Sequence, residues 1–450
     1  MTSPPRPRRP SQRPQRLSAR DRLAAPVASR PRMLLLAQTL PFPPDGGVNI
    51  RIYNVLRLLS RHYDVTLLCF MRRAERQAEG AVAAGIAGLL PYADVAVFPI
   101  PQEYSRVRML WDHLRSVVQR RAYTWYVYES QAFDERLSQL LTTRRFDVAQ
   151  IDSLDLARYI PALDGMPVIC VHHNVESALM ERRAGMEASA WRRAYLRLQA
   201  RWLARLETYW CRRVALNVAV SEPDRALLEA QSPGGRYTSV PNGVDIDSFR
   251  PAAPGGRESG IVSTGGLNWF PNADGLKHFC ADILPRVRAV CPPDATTVRW
   301  VGRADDMTRR RLKAESDVEL TGYVDDVRPY LRAAACFVVP LRVGGGTRLK
   351  ILDAWAMGKA VVSTSVGCEG LDARDGENIL VRDDPAAFAE AVTAVLRDPE
   401  LRHRLGAAAR RTVERTYSWD VIGEDLRDTL STLTSRDAIT APRPAPARTR

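Results

Sequence analysis

Short apolar runs alternating with longer amphipathic stretches recur along most of this chain, and that pattern leaves few folds open. The first half contains "MLLLA" (33–37), "DVTLLCF" (64–70), "DVAVFPI" (94–100), "FDVAQID" (146–152), "PVICVHH" (167–173) and "VALNVAV" (214–220). The second contains "GIVSTGG" (260–266), "TVRWVG" (297–302), "VELTG" (318–322), "CFVVPL" (336–341), "AVVST" (360–364) and "NILV" (378–381). Strands buried on both faces read as unbroken apolar segments, and the stretches between them suit covering helices, so the pattern predicts α/β folding around doubly wound parallel sheets. With 450 residues the chain exceeds what one core organises. The turn-dense stretch "PNGVDIDSFRPAAPGGRESG" separates the two sets of runs. It places a linker at 241–259 between Rossmann-like domains at 33–240 and 260–416. Ligands of open α/β sheets sit beyond the carboxyl ends of the strands, so two such domains facing each other form a cleft with two binding walls.

A formal charge of +14 suggests a nucleic-acid partner until it is located. Nine arginines stand against Asp21 in residues 1–32, and four against Asp437 in 436–450, which leaves the body of the chain at only +3. Both tails are rich in Pro, Arg, Ala and Ser and lack apolar periodicity, so disorder is expected for 1–32 and 436–450. No apolar stretch of about 7–15 residues marks a signal peptide, and no apolar run of about 18 or more marks a membrane span. The expectation is a cytoplasmic protein, with peripheral contact between basic segments and anionic lipid left open. Seven cysteines without C-x-x-C spacing suggest reduced buried thiols rather than disulfides or zinc.

The stretch "RVGGGTRLKILDAWAMGKAVVST" (342–364) carries the strongest chemical signal. Three glycines precede a helical pattern whose first turn is read as starting at Thr347, an N-cap type of residue, and as holding Arg348 and Lys350. Cations at the positive end of a helix are unfavourable unless an anion joins them. The arrangement therefore reads as a phosphate site built from the amides of Gly344, Gly345, Gly346 and Thr347 and from Arg348 and Lys350. The alternative is a tight turn with two surface cations. Asp353 follows Lys350 by three residues, either as a sugar-hydroxyl acceptor at the same mouth or as an ion-pair partner of Lys350. Arg303, after another strand, is a second phosphate or base-edge candidate or else a surface arginine.

On the opposite wall, Gly46 and Gly47 precede a helix starting near Asn49, and allow close approach of sugar or acceptor, or simply a turn. His173 ends "PVICVHH", with His172 on the opposite side of the strand. Asp245 and Asp247 form a D-x-D read as turn structure, with no metal expected. Two basic, aromatic helical stretches, 104–128 and 190–213, either pack on the sheet or lie on an anionic membrane.

The segments "PLRVGGGTRLKILDAWAMGKAVVSTSVGCEGL", "VPNGVDIDSFRP", "VSTGGLNWFPNADGLKHF" and "LTGYVDDVRPYL" resemble the GT-B glycosyltransferases of family 4. The N-terminal "PFPPDGGVNIRIYNVLRLLSRHYDVTLL" and "HHNVESALMERR" resemble the same family, in the branch associated with bacterial exopolysaccharide and cell-surface sugar assembly. The resemblance runs from about Met33 to Leu426. It implies a GT-B fold, a nucleotide-sugar donor on the C-terminal domain, an acceptor on the N-terminal domain, and a helix at 417–435 that crosses back. It further implies a hexosyl transfer that retains anomeric configuration and uses no metal. Arg348 and Lys350 match the donor-diphosphate positions, His173 the cleft histidine, and Asp353 the second acid of an E-x7-E pattern. The first acid's position falls on Gly345, and the Arg and Lys usual after the first strand of this domain are replaced within "GGLNWFPNADG".

The resulting expectation is transfer from a UDP- or GDP-sugar, without a cofactor, to a glycan or lipid-linked glycan. Synthesis of surface polysaccharide or glycoconjugate would place it at the inner face of the plasma membrane, with no specific nucleic acid involved. The rivals are a non-catalytic relative that binds glycan or protein partners, favoured by Gly345, a tail-mediated nucleic-acid binder, and a nucleotide-sugar epimerase. The last requires cleft carboxylates that the sequence does not locate.

Overall fold

The computed structural model describes residues 30–252, 256, 258–305, 309–310 and 318–434. The basic segment up to residue 29, the tail at 436–450 and part of the linker lie outside these residues. Arg32, read as part of the tail, already belongs to the first strand: its N–H donates to Asp147 Oδ2 at 2.7 Å.

The N-terminal sheet comprises β1 (Arg32–Ala37), β2 (Asp64–Met71), β3 (Asp94–Pro99), β4 (Val148–Ile151), β5 (Val168–His172), β6 (Leu216–Ala219) and β7 (Tyr237–Ser239). They are parallel, in the order β3-β2-β1-β4-β5-β6-β7. The period of two shows in β1. Met33, Leu35 and Ala37 enter one core, while Leu34 and Leu36 enter the core on the other face. The second sheet comprises β8 (Ile261–Thr264), β9 (Val298–Val301), β10 (Glu319–Gly322), β11 (Cys336–Val339), β12 (Val361–Ser363) and β13 (Leu380–Val381). These too are parallel, ordered β10-β9-β8-β11-β12-β13. All seven cysteines are free thiols, six of them buried.

The helices that matter for the site and its surroundings are α1 (Gly47–Leu59), α2 (Arg106–Gln119), α3 (Glu176–Met186), α4 (Ala190–Cys211), α5 (Phe270–His278), α6 (Leu349–Ala356) and α7 (Trp419–Thr434). Helix α7 places Trp419, Ile422, Leu426 and Leu430 at i, i+3, i+7 and i+11 in the core beside α1. The last helix among the described residues thus packs on the first domain. The connection is pinned where Val244 N–H donates to Tyr417 O at 2.8 Å and Trp419 covers Gly243. Arg51 of α1, 2% exposed, donates to Pro241 O at 3.1 Å and Asn242 Oδ1 at 2.9 Å. Asp245 accepts from the N–H groups of Asp247 and Ser248, so the D-x-D segment forms an Asx turn.

Candidate functional site

In each sheet the strand order reverses at one point, between β1 and β4 and between β8 and β11. Crevices of doubly wound sheets form at such points. The loops leaving these strands carry Gly46 and Gly47 after β1, Asp152 after β4, "GGLNWF" after β8 and the triple glycine after β11. The two walls meet there.

Helix α6 begins at Leu349, two residues later than the sequence suggests, with Arg348 at the cap position. Thr347 does not cap it: its hydroxyl donates to Val220 O of the facing domain at 2.8 Å. A cross-cleft bond outcompetes the local one. Arg348, 4% exposed, folds back on its own loop, donating through Nη1 to the carbonyls of Gly345 and Gly346, the latter at 2.7 Å. Its Nε has no partner, and its guanidinium lies 6.0 Å from the ring of the exposed Trp269. Burial lowers its pKa to about 10, so the cation persists at neutral pH.

Lys350 does not pair with Asp353. Its Nζ donates to Asn272 Oδ1 at 2.8 Å and lies 5.8 Å from the Trp300 ring. The side chain is half-buried, and among the described residues its ammonium has no counter-ion. This desolvation, with Arg348 nearby, lowers its pKa to about 7. Asp353 shows the mirror effect, raised to about 7 by burial. Its carboxyl has no hydrogen-bond partner among the described residues. Asn272 comes from the stretch that replaces the usual Arg and Lys, and it was not singled out in the sequence. An amide at the start of α5 gives no signal of its own until the fold brings it to Lys350.

The triple-glycine loop touches the other domain directly. Gly346 has φ 68°, and a Cβ there would stand 2.5 Å from His173 O and 2.8 Å from Asn174 Oδ1. Only glycine fits that turn and that approach together. At Gly345 a Cβ would lie 3.1 Å from Asn174 Oδ1. Arg182 of α3 donates to Gly344 O and makes a two-point ion pair with Glu369 at 2.7 and 2.9 Å. Arg303 is neither free nor simply on the surface: its Nη2 pairs with Asp45 Oδ2 across the cleft at 2.8 Å, and it covers Tyr323. Gly46 takes the cap position of α1 and Gly47 its first turn, so this helix starts two residues earlier than expected. A Cβ on Gly47 would meet Leu349 of α6 at 3.5 Å.

His173 follows β5 by one residue, and its Nε2 lies 2.8 Å from Asp152 Oδ2 and 3.1 Å from Asp152 O. Both partners are acceptors, so Nε2 carries the hydrogen and Nδ1 is left as the acceptor. His172 points the other way to Asn217 at 3.0 Å, and burial lowers its pKa to about 4. Next to His173, Asn174 donates to Glu176 Oε1 at 3.2 Å. Burial and the neighbouring Asp155 raise the Glu176 carboxyl to about 8. These carboxylates, which the sequence could not place, thus stand in the cleft wall or just behind it. Among the described residues no group of three or more His, Cys, Asp or Glu converges as a metal-ligand set.

Two family models match this architecture segment by segment: "Glycosyltransferase Family 4" over residues 45–248 and "Glycosyl transferases group 1" over residues 258–398. The chain belongs to glycosyltransferase family 4. The chain is 29% identical over 233 residues to a phosphatidyl-myo-inositol mannosyltransferase of Mycobacterium tuberculosis, covering 49% of this chain and 60% of that one. The chain therefore spans no more than 60% of the length of these curated relatives. It is also 37% identical over 118 residues to the lipopolysaccharide core biosynthesis glycosyltransferase LpsE of Rhizobium meliloti, covering 25% of this chain and 33% of that one. Among solved structures, sucrose-phosphate synthase from Thermosynechococcus elongatus superposes with a TM-score of 0.67 at 17% identity over 89% of this chain and 99% of that one. Anabaena Alr3699/HepE in complex with UDP and glucose superposes at 0.63 with 15% identity over 89% and 100%. The fold of the chain is accordingly GT-B.

Proposed function

We propose that the protein transfers a hexosyl group from a nucleoside-diphosphate sugar, UDP- or GDP-linked, to a glycan or lipid-linked glycan acceptor, with retention of configuration and without a metal. The observation that carries this reading is the unpaired pair of cations at the glycine-rich loop. Arg348 and Lys350 sit beside the N-terminus of α6, and among the described residues neither makes an ion pair with a carboxylate.

A diphosphate leaving group supplies the missing charge. As the bond from sugar to diphosphate breaks, negative charge grows on the leaving oxygens, and donors already in place stabilise it without reorganising. Lys350, held by Asn272, serves the phosphates, and the spare Nε of Arg348 faces the same need. Asp353 receives the ribose hydroxyls. His173, oriented by Asp152, contacts the transferred sugar from the other wall. Gly46 and Gly47 leave room for sugar or acceptor, while Arg303 releases Asp45 to reach the donor.

Relatives named for phosphatidyl-myo-inositol and for lipopolysaccharide core support a lipid-linked or surface-glycan acceptor. A place in surface polysaccharide assembly at the inner face of the plasma membrane, with peripheral contact to anionic lipid, belongs to the same reading. The test is thermal unfolding of the protein with UDP, GDP, ADP, dTDP or CMP, with and without EDTA. A midpoint raised by one diphosphate and indifferent to EDTA is the expected result. No shift with any nucleotide would overturn the donor site in favour of a non-catalytic relative.

A further inference from the structure

Helix α2 is packed inside out. Its buried residues are the polar Asp112 and Ser116. Asp112 accepts from Gln102 at 3.1 Å and lies 3.6 Å from both Arg108 and Arg115. Ser116 donates to Arg121 O at 2.7 Å and accepts from Gln199 of α4 at 2.9 Å. His113 stacks on Tyr123 and meets Tyr195 of α4 at 2.6 Å. The apolar side chains face outward: Val107 is 78% exposed, Leu110 65%, Trp111 58%, Leu114 51% and Val118 71%. At 3.6 residues per turn, positions 107, 110, 111, 114 and 118 form one stripe along the helix. The internal hydrogen bonds oppose a rotation that would bury this stripe, because it would break the bonds of Asp112, Ser116 and His113. A contiguous exposed stripe of this kind marks a contact surface.

Charge selects the occupant. Between Arg106 and Arg121 the only acid is the buried Asp112, whereas Arg106, Arg120 and Arg121 are exposed at the two ends of the stripe. The neighbouring α4 repeats the pattern. Its only acid is Glu207, 2% exposed, and it opens with Trp191, 70% exposed, beside Arg192. An apolar helix face rimmed by arginine and carrying an interfacial tryptophan matches an anionic lipid surface. A second copy of the chain would set arginine against arginine across a two-fold contact. No helix among the described residues is long and apolar enough to cross a membrane. We propose that α2 lies on the surface of an anionic bilayer, its stripe from Val107 to Val118 inserted below the headgroups and its arginines among them.

The proposal deepens the lipid-linked acceptor reading by naming the membrane-facing surface, and rests on that reading for its purpose but not for its test. The full chain is sedimented with vesicles of phosphatidylcholine mixed with phosphatidylglycerol, and with phosphatidylcholine vesicles alone. The triple variant Leu110→Ser, Trp111→Ser, Leu114→Ser keeps every charge and alters residues already more than half exposed. It is expected to lower affinity for the mixed vesicles by at least about tenfold, with an unchanged unfolding midpoint. Wild-type binding is expected to weaken with added salt and on the neutral vesicles. Failure of the wild type to bind mixed vesicles would overturn the proposal. So would binding that the triple variant leaves intact, because the basic segments alone would then carry it. A dimer in sedimentation equilibrium that the variant dissociates would assign the stripe to a second copy instead. Transfer to a water-soluble acceptor is read separately: its absence beside normal vesicle binding counts against the glycosyltransferase reading and leaves the docking surface standing.

Discussion

The two walls of the cleft present different groups to a ligand. On the C-terminal side, the buried Arg348 and the half-buried Lys350 hydrogen-bond carbonyl and amide oxygens, and among the described residues neither makes an ion pair. On the N-terminal side, Asp152, Asp155 and Glu176 cluster around His173 and Asn174, and burial raises the carboxyls of Asp155 and Glu176. The first wall is short of negative charge, which suits an anionic ligand. The second, where burial holds the Glu176 carboxyl largely protonated at neutral pH, suits hydroxyl groups that accept and donate hydrogen bonds. Under the proposed function, this division would separate diphosphate from sugar and acceptor before any ligand arrives.

The harshest test of this division removes the cations. Arg348→Ala with Lys350→Ala is expected to weaken UDP or GDP binding by about 10³-fold or more, because two charge-assisted contacts of about 2 kcal/mol or more each are lost. Isothermal titration would check it, and unchanged binding would mean that the cations only brace the loop. On the other wall, His173→Ala and Asp152→Asn are expected to lower kcat by about 10²-fold while donor affinity stays within about threefold. Steady-state kinetics beside nucleotide titration would separate the two walls. If donor affinity collapsed equally, the walls would share one ligand rather than divide it.

The pH dependence sharpens the same contrast. Lys350 has a pKa near 7 without ligand, and the diphosphate favours its ammonium form. Above pH 7 binding must therefore take up a proton, and affinity falls as pH rises, by up to about tenfold per unit. Asp353 acts in reverse: as a hydroxyl-accepting carboxylate it must lose a proton below its pKa near 7, so affinity also falls as pH drops. Titrations across the range should show an optimum near neutrality, with Lys350→Arg flattening the alkaline limb. A profile flat on both sides would exclude both roles. The smallest effect belongs to the Arg303 and Asp45 bridge, where Arg303 is mostly exposed. Asp45→Asn is expected to cost at most about 1 kcal/mol of stability, measurable by denaturant unfolding. A larger loss would mean that this bridge holds the walls together.

Much of the fold was legible because it depends on patterning. Unbroken apolar runs and their alternation with helices follow from burial on both faces of a parallel sheet, and the observed strands lie within those runs or pass them by one residue at an end, apart from the short β7. The glycine loop and its cations were legible for the same local reason, since glycines, two cations and a helix start lie within a few residues. What local chemistry could not decide was which partner each group would choose. Thr347 bonds Val220 O instead of capping α6, Lys350 takes Asn272 instead of Asp353, and Arg303 takes Asp45. Each chosen partner lies from 78 to 258 residues away. The acid behind His173 and the outward turn of the α2 stripe belong to the same class. Hydrophobic periodicity reports which side of an element is apolar, but only the packing of one element on another determines which side meets the core and which polar group arrives within 3 Å.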